Sequence, residues 1–134
     1  MILKFDEQLL DELTEQAKKS ERLRMNLDLR TSSSDKSQRM LNALEPGTVI
    51  PIHRHTTSTE VLVMIRGKIK ENLYDNNGVL IESIIVESNG RISGISLPVG
   101  QWHNTECLVS GTVFMECKDG PYAPLNKNDI IEKF

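Results

Sequence analysis

The first segment of the chain shows the spacing of an amphipathic helix. Asp6 can cap its start, and Lys18 and Lys19 suit the negative end of a helix dipole. The pattern predicts a helix over residues 6–19. The apolar positions recur every three or four residues, at Phe5, Leu9, Leu10, Leu13 and Ala17.

The apolar period then changes to two. From Leu23 to Leu29 every second residue is apolar, which predicts a strand with one buried face. If that apolar face contacts the core, Arg24 and Asn26 point the other way. Further strands are predicted at 38–44, 49–53, 61–66, 68–74, 79–87, 91–97, 106–109 and 112–118.

Turn signals separate these runs, and the Asn-Gly steps at 77–78 and 89–90 favour hairpins. Many short antiparallel strands predict a mostly β fold, as a sandwich, jelly roll or barrel. With 134 residues the chain is expected to form one domain. Its parts are a helix in residues 1–20, a barrel in 21–120 and a tail in 121–134 that packs on the barrel.

Composition and charge exclude several classes of function. Lysine and arginine number 16 against 19 acidic residues, a net charge of −3, which disfavours nucleic acids and anionic membranes as partners. No apolar run is long enough to span a bilayer, and no signal peptide is visible at the N-terminus. Two cysteines are too few for a disulfide scaffold, so we expect a cytoplasmic protein with free thiols.

The histidines suggest a metal site. His53 and His55, two residues apart on a strand, point to the same side, and Glu60 begins the next apolar run. His103 follows a Pro-x-Gly turn much later in the chain. Three imidazoles and a carboxylate suit one divalent transition metal such as Fe, Mn, Ni, Co or Zn. The alternative for an isolated His-x-His pair is a polar surface feature.

The spacing around these residues resembles a known family. Gly47-x5-His53-x-His55-x4-Glu60-x6-Gly67 resembles the first cupin motif, and Pro98-x-Gly100-x2-His103 resembles the core of the second. The resemblance implies a cupin, a jelly-roll-like β-barrel that binds a metal. The second motif usually opens with glycine and closes with asparagine, where this chain has Ile92 and Cys107.

A narrower resemblance is to the WbuC family of cupin metalloproteins. It implies a small cytoplasmic bacterial protein, often associated with surface-polysaccharide gene sets, whose reaction is not established. Asp28 and Arg30 depart from that family's pattern, and the loop 56–59 is shorter. The segments that carry the resemblance are RLRMN at 22–26, QRMLNALEPG at 38–47, PIHRH at 51–55, WH at 102–103 and ECKDGPY at 116–122.

Other side chains are weaker candidates for the site. Arginine offers a two-pronged donor for carboxylate or phosphate, although a solvated surface explains the same pattern. Trp102, Glu116 and Cys107 are expected around the metal ligands, where Glu116 can orient a histidine and Cys107 alternatively fills the core. The candidates for binding a substrate are Arg24, Asn26, Arg39 and Tyr122.

The first functional hypothesis is a metalloenzyme that isomerises, epimerises or hydrolyses a small polar metabolite, such as a sugar or sugar nucleotide of surface-polysaccharide metabolism. The alternatives are a non-catalytic module that binds a sugar or small acid, and an Fe(II) dioxygenase. All three histidines are used by the metal site, so the catalytic residues are unknown. We expect a small polar or anionic ligand and a homodimer, since small cupins often pair through a sheet edge or an N-terminal extension.

Overall fold

The N-terminal helix forms as predicted. Helix α1 spans Glu7–Lys19, and the Leu9 N–H donates to Asp6 Oδ1 at 3.0 Å, which caps the first turn. Its apolar stripe of Leu10, Leu13 and Ala17 is buried. No helix in residues 1–131 is long and apolar enough to cross a membrane.

The computed structural model describes residues 1–131 and contains two five-stranded antiparallel sheets. The strands are β1 (Arg24–Asp28), β2 (Ser37–Leu44), β3 (Ile52–His53), β4 (Glu60–Arg66), β5 (Lys68–Tyr74), β6 (Leu80–Glu87), β7 (Gly94–Leu97), β8 (Trp102–Cys107), β9 (Thr112–Asp119) and β10 (Ile130–Ile131). The first sheet has the order β1-β2-β9-β4-β7 and the second β10-β3-β8-β5-β6.

This arrangement confirms the mostly β fold class with an N-terminal helix. The described strands make a jelly-roll sandwich of two sheets, and they do not close into one continuous barrel. The sheets meet along their inner faces, as expected for sandwich packing.

Three predicted elements need correction. The strand expected at 106–109 is β8, which begins earlier, at Trp102, because His103 pairs with both neighbouring strands. The strand expected at 49–53 is shortened to Ile52–His53, since Pro51 has no N–H for a ladder. The tail was expected to lack a strand, yet β10 pairs with β3; residues 132–134 of that tail lie outside the described residues.

Helix α1 covers the outer face of the first sheet. Its buried stripe packs against Leu41, Ala43 and Val113, with Met25 and Leu27 of β1 at the margin. The apolar face of β1 therefore contacts the helix and not the sandwich interior. By strand alternation, Arg24 and Asn26 face the interior.

Arg66 fastens the helix to the sheet. Its guanidinium donates to Asp11 Oδ1 at 2.8 Å, to Thr14 Oγ1 at 3.0 Å and to the Gly111 carbonyl at 2.8 Å. The next residue, Gly67, has φ +90° and makes the tight turn from β4 to β5. A Cβ there would lie 2.7 Å from Thr112 Cα, so only glycine fits.

The sandwich interior is apolar at one end and polar at the other. Strands β2, β4, β8 and β9 each contribute inward side chains to both ends. Their inward positions at the polar end are Asn42, Glu60, His103 and Glu116. The apolar end is a cluster of Leu44, Leu62, Met64, Ile69, Val86, Cys107 and Phe114.

Candidate metal centre

The four predicted metal ligands converge at the polar end. His53 ends β3 and is the direct cross-strand partner of His103 on β8, while His55 lies two residues beyond His53. Glu60 starts β4 in the opposite sheet. One donor atom from each residue can be chosen so that all four lie within 4.8 Å of one another. The site thus joins the two sheets.

Hydrogen bonds orient two of the imidazoles. His53 Nδ1 lies 2.9 Å from the Pro51 carbonyl, and His103 Nδ1 lies 2.8 Å from Glu71 Oε1. Because both partners are acceptors, each Nδ1 carries a proton, and Nε2 is the ring nitrogen that a metal ion can bind once that nitrogen is deprotonated. The rings are therefore prepared to act as ligands through Nε2.

Glu71 is a functional residue that sequence reasoning missed. It is fully buried, and its second oxygen accepts the Thr105 hydroxyl at 2.8 Å. Burial raises the pKa of Glu71, although His103 and Thr105 oppose that rise. The available signal was its place between Ile69 and Leu73 on the inward face of β5, where a carboxylate needs a buried partner.

Two buried polar atoms lack hydrogen-bond partners among the described residues. They are His55 Nε2 and Glu60 Oε2, which lie 3.3 Å apart without hydrogen-bond geometry. Glu60 Oε2 lies equally close, 3.3 Å, to His103 Nε2. Leaving such atoms unsatisfied costs about 1–3 kcal/mol each. A divalent cation bound by these atoms removes that cost, so the residues fit a metal ion.

The electrostatics of the donors are strongly perturbed. Burial lowers the pKa of His53 to about 4, and the adjacent His103 acts in the same direction. Burial also opposes the charging of His103, but the Glu60 and Glu71 carboxylates outweigh it and raise the pKa of His103 to about 9. Of these two histidines, His103 is therefore the one that carries a positive charge at neutral pH when no metal is bound.

The two carboxyl groups of the site divide their charge unequally. Burial and the neighbouring Glu60 raise the pKa of Glu116 to about 8. Burial opposes the ionisation of Glu60, yet Glu116, His103 and His55 outweigh it and hold the pKa of Glu60 well below its usual range. Near neutral pH, Glu60 is the anionic member of the pair and is available as a ligand.

A cavity leads from the surface to this cluster. An inner chamber of about 180 Å³ reaches His53, Glu60 and His103. An outer chamber of about 520 Å³ reaches His55 and is bounded by the tail segment 121–125. The two chambers are adjacent; the residues lining both are Arg22, Arg24, Asn26, Asn42, His53 and Glu116.

The predicted substrate-binding residues fall in different places. Arg24 and Asn26 line both chambers, and Tyr122 lines the outer one. Arg39 lies on the helix-facing side of β2, where it donates to the Leu29 carbonyl at 3.2 Å and to Asp35 at 3.0 Å. The expectation that Arg39 lines the cavity is therefore corrected, because β2 turns the side chains of Gln38 and Met40 inward instead.

The residues predicted to surround the ligands also lie in different parts of the structure. Glu116 lines the cavity and accepts Asn42 Nδ2 at 3.2 Å, while the orienting of His103 falls to Glu71. Cys107 belongs to the apolar cluster, about 13 Å along β8 from His103 at roughly 3.3 Å per residue. Its Sγ lies 3.1 Å from the Val109 carbonyl, and burial raises the pKa of the thiol.

Trp102 contacts Arg54, which pairs with Asp129 behind the centre; these three residues are called the C-terminal clamp. The Arg54 guanidinium lies 4.5 Å from the centre of the Trp102 ring and donates through Nε to Asp129 Oδ1 at 2.9 Å. The Arg54 N–H also donates to the Asp129 carbonyl at 3.0 Å. Since Arg54 stands between His53 and His55, the C-terminal segment supports the candidate centre, which no local sequence signal indicates.

The sequence matches a described family. A domain of unknown function, DUF6016, matches residues 5–86, which include the His53–Glu60 part of the centre. The chain belongs to this family. No curated protein matches this DUF6016 chain.

Solved structures resemble the DUF6016 chain in fold. The capsular polysaccharide assembling protein CapF from Staphylococcus aureus is 23% identical with TM-score 0.67, over 84% of this chain and 32% of that one. Oxalate decarboxylase from Bacillus subtilis (E162A mutant) is 21% identical with TM-score 0.57, over 73% and 25%. KdgF from Halomonas sp. is 10% identical with TM-score 0.60, over 74% and 82%.

These structures are cupin-fold proteins, so the DUF6016 chain has the cupin fold, as its two motifs predict. The chain spans about a third of the length of CapF. Likeness at this level of identity concerns the fold alone. The narrower resemblance to the WbuC family stays a prediction.

Proposed function

We propose that this cupin binds one divalent transition metal through His53, His55, Glu60 and His103 at the floor of a cavity open to a small polar or anionic molecule. The observation that carries the proposal is the convergence of four donors within 4.8 Å, two of them buried without partners. Three imidazoles and one carboxylate suit Fe, Mn, Ni, Co or Zn.

Each of the chain's own residues has a definable task in this proposal. Glu71 and the Pro51 carbonyl hold the protons of two imidazole rings and keep their Nε2 atoms directed to the centre. Asn42 and Glu116 form a polar wall beside it. When bound, a divalent metal supplies Lewis-acid polarisation of a substrate oxygen or activation of water.

We further propose that the substrate is a sugar or sugar nucleotide of bacterial surface-polysaccharide metabolism. Three features support this: the resemblance to the WbuC family, the role of CapF in capsular polysaccharide assembly, and an outer chamber of about 520 Å³. That volume lies in the range of cavities that hold small molecules, roughly 300–1,000 Å³.

A non-catalytic binding module is the second candidate. All three histidines of the sequence belong to the metal cluster, so none remains to transfer protons. Turnover of a sugar nucleotide by the metal-loaded protein supports an enzyme, and binding without turnover supports a module. Oxygen consumption that depends on bound Fe(II) supports the dioxygenase alternative.

The decisive experiment is elemental analysis of protein purified without chelators. We expect about one transition metal per wild-type chain and a near-complete loss in His55→Ala, because one of four ligands is removed. Asn104→Ala is the matched control, since Asn104 neighbours His103 but bonds Asn72 and Tyr74 away from the centre. Equal metal content in wild type and His55→Ala contradicts the ligand assignment.

We also propose a homodimer that pairs through the edge strand β6. Its outer face exposes Ile81 and Ile85 at 62% and 43%, and β6 ends the second sheet. Long apolar edge strands are sites of strand pairing between chains. Light scattering should give twice 15.2 kDa for wild type and the single mass for Ile85→Lys; a monomeric wild type contradicts the proposal.

A further inference from the structure

Two arginines in the cavity wall have no acidic partner. Arg22 and Arg24 line both chambers, and within residues 1–131 neither forms an ion pair. Arg24 donates through Nη1 to the Val49 carbonyl at 3.2 Å, and its other guanidinium donors have no hydrogen-bond partner among the described residues. By contrast, the guanidinium groups at positions 30, 39, 54 and 66 are each paired with an aspartate.

The backbone between these two arginines is strained. Leu23, between them, has φ +56°, a left-handed conformation that is unfavourable for a bulky residue. Hydrogen bonds keep it there: the Glu45 N–H donates to the Leu23 carbonyl at 3.0 Å, and the Thr48 hydroxyl donates to the Arg22 carbonyl at 2.6 Å. Backbone strain of this kind concentrates at binding sites.

The charge in this wall is unbalanced. Burial, followed by the positive charge of Arg22, lowers the pKa of Arg24, which remains a cation at neutral pH. Lys118 also lines the outer chamber, 3.9 Å from Glu116. Glu60 is the anionic carboxylate in the same wall, so the cations Arg22, Arg24 and Lys118 outnumber it across the two chambers, which favours an anionic ligand.

We propose that Arg22 and Arg24 form an oxyanion subsite, so that the ligand of this cavity carries a carboxylate or phosphate group. The proposal rests on the proposed function, because it places the rest of the same ligand at the histidine–glutamate cluster. The inner chamber touches both the arginines and His53, Glu60 and His103, so one small molecule can reach both ends. Guanidinium groups bind both kinds of oxyanion through paired, charge-assisted hydrogen bonds.

The test compares three probes that share a hydroxyl-bearing carbon chain: glycerol, glycerate and glycerol 3-phosphate. Calorimetry on the metal-loaded protein should show at least one anionic probe binding about tenfold to a hundredfold more tightly than glycerol, as expected for charge-assisted hydrogen bonds. The double variant Arg22→Gln/Arg24→Gln should lose that preference. The carboxylate and phosphate arms identify which oxyanion the subsite accepts.

Arg91→Gln is the matched control. Arg91 also lacks an ion pair among the described residues, but it lies beside β6, away from the cavity. The Arg91→Gln variant should leave the preference for anionic probes over glycerol unchanged. Arg24→Lys, which keeps the charge but not the paired donors, should retain part of it.

Two results overturn the proposal: a wild-type protein that binds neither anion better than glycerol, or a double variant that keeps the preference. Metal content separates this failure from that of the proposed function, because the arginines are not ligands and the double variant should keep its metal. If the wild type takes up no metal, titration of the metal-free protein with inorganic phosphate still tests the subsite. Loss of phosphate binding in the double variant then supports it, and equal binding or none contradicts it.

Discussion

The two ends of the sandwich interior are built by the same strands, but one end buries polar side chains and the other buries apolar ones. Along β4, Glu60 is 3% exposed at the polar end, and Leu62 is 1% exposed two residues further on. Burial therefore does not separate the ends. They differ in whether the buried atoms find suitable partners. Leu62 packs among apolar neighbours, whereas Glu60 Oε2 has no hydrogen-bond partner among the described residues.

This contrast indicates which end stabilises the fold and which end is suited to binding. A buried aliphatic side chain contributes about 1.5–3 kcal/mol relative to an exposed one. A buried polar atom without a partner costs about 1–3 kcal/mol. Retention of the costly arrangement at one end is what a binding site requires.

The largest expected effect comes from shortening a buried side chain at the apolar end. Leu62→Ala should lower the free energy of unfolding by about 2–5 kcal/mol, through lost burial and the cavity left behind. Metal bound per folded chain should stay unchanged, because Leu62, although it lines the inner chamber, offers no ligand atom and no side-chain hydrogen bond to the four donors. Denaturant unfolding and elemental analysis measure the two quantities.

The matched control is Val63→Ala, which removes an exposed side chain on the same strand. It should change the free energy of unfolding by less than about 0.5 kcal/mol. If Leu62→Ala abolishes metal binding in protein that remains folded, the two ends are not independent and the comparison fails.

The second prediction concerns the polar end alone. Glu71→Gln removes the negative charge that holds the His103 ring, so metal affinity should fall about 10- to 100-fold. Competition with a chelator of known affinity measures it. Glu106→Gln, an exposed change on neighbouring β8, should leave the affinity unchanged. Wild-type affinity in Glu71→Gln would show that this carboxylate does not support the ligand.

The smallest expected effect lies behind the centre, in the C-terminal clamp. Asp129→Asn should lower the free energy of unfolding by about 1 kcal/mol, because its partner Arg54 is only partly buried and solvent screens the pair. Metal affinity should fall slightly with it, since Arg54 lies between His53 and His55. Asp119→Asn, exposed at the end of β9, is the control. A larger loss of metal affinity than in Glu71→Gln would show that the clamp supports the centre more strongly than Glu71 does.

The local parts of the protein were predictable from sequence. Helix α1 and most strands follow from apolar periodicity, which reports a residue's neighbours three or two positions away. Three of the four donors were predicted from the spacing of His-x-His and its following glutamate, and the fourth, His103, from the Pro-x-Gly turn before it. Strand β10 was not found, because two residues carry no period and β10 exists only by pairing with β3.

The sequence by itself determined the fold class, the candidate ligands and the placement of Arg24 on the face of β1 opposite its apolar side chains. Only the tertiary structure decided that Glu71 supports His103, that Arg54 meets Asp129, that Arg22 joins Arg24 in the cavity and that Arg39 does not. These contacts join residues far apart in the chain, from strands whose order and register are set by packing of the whole interior. Hydrophobic periodicity carries no information about that order, so the surroundings of the centre become visible only in the folded chain.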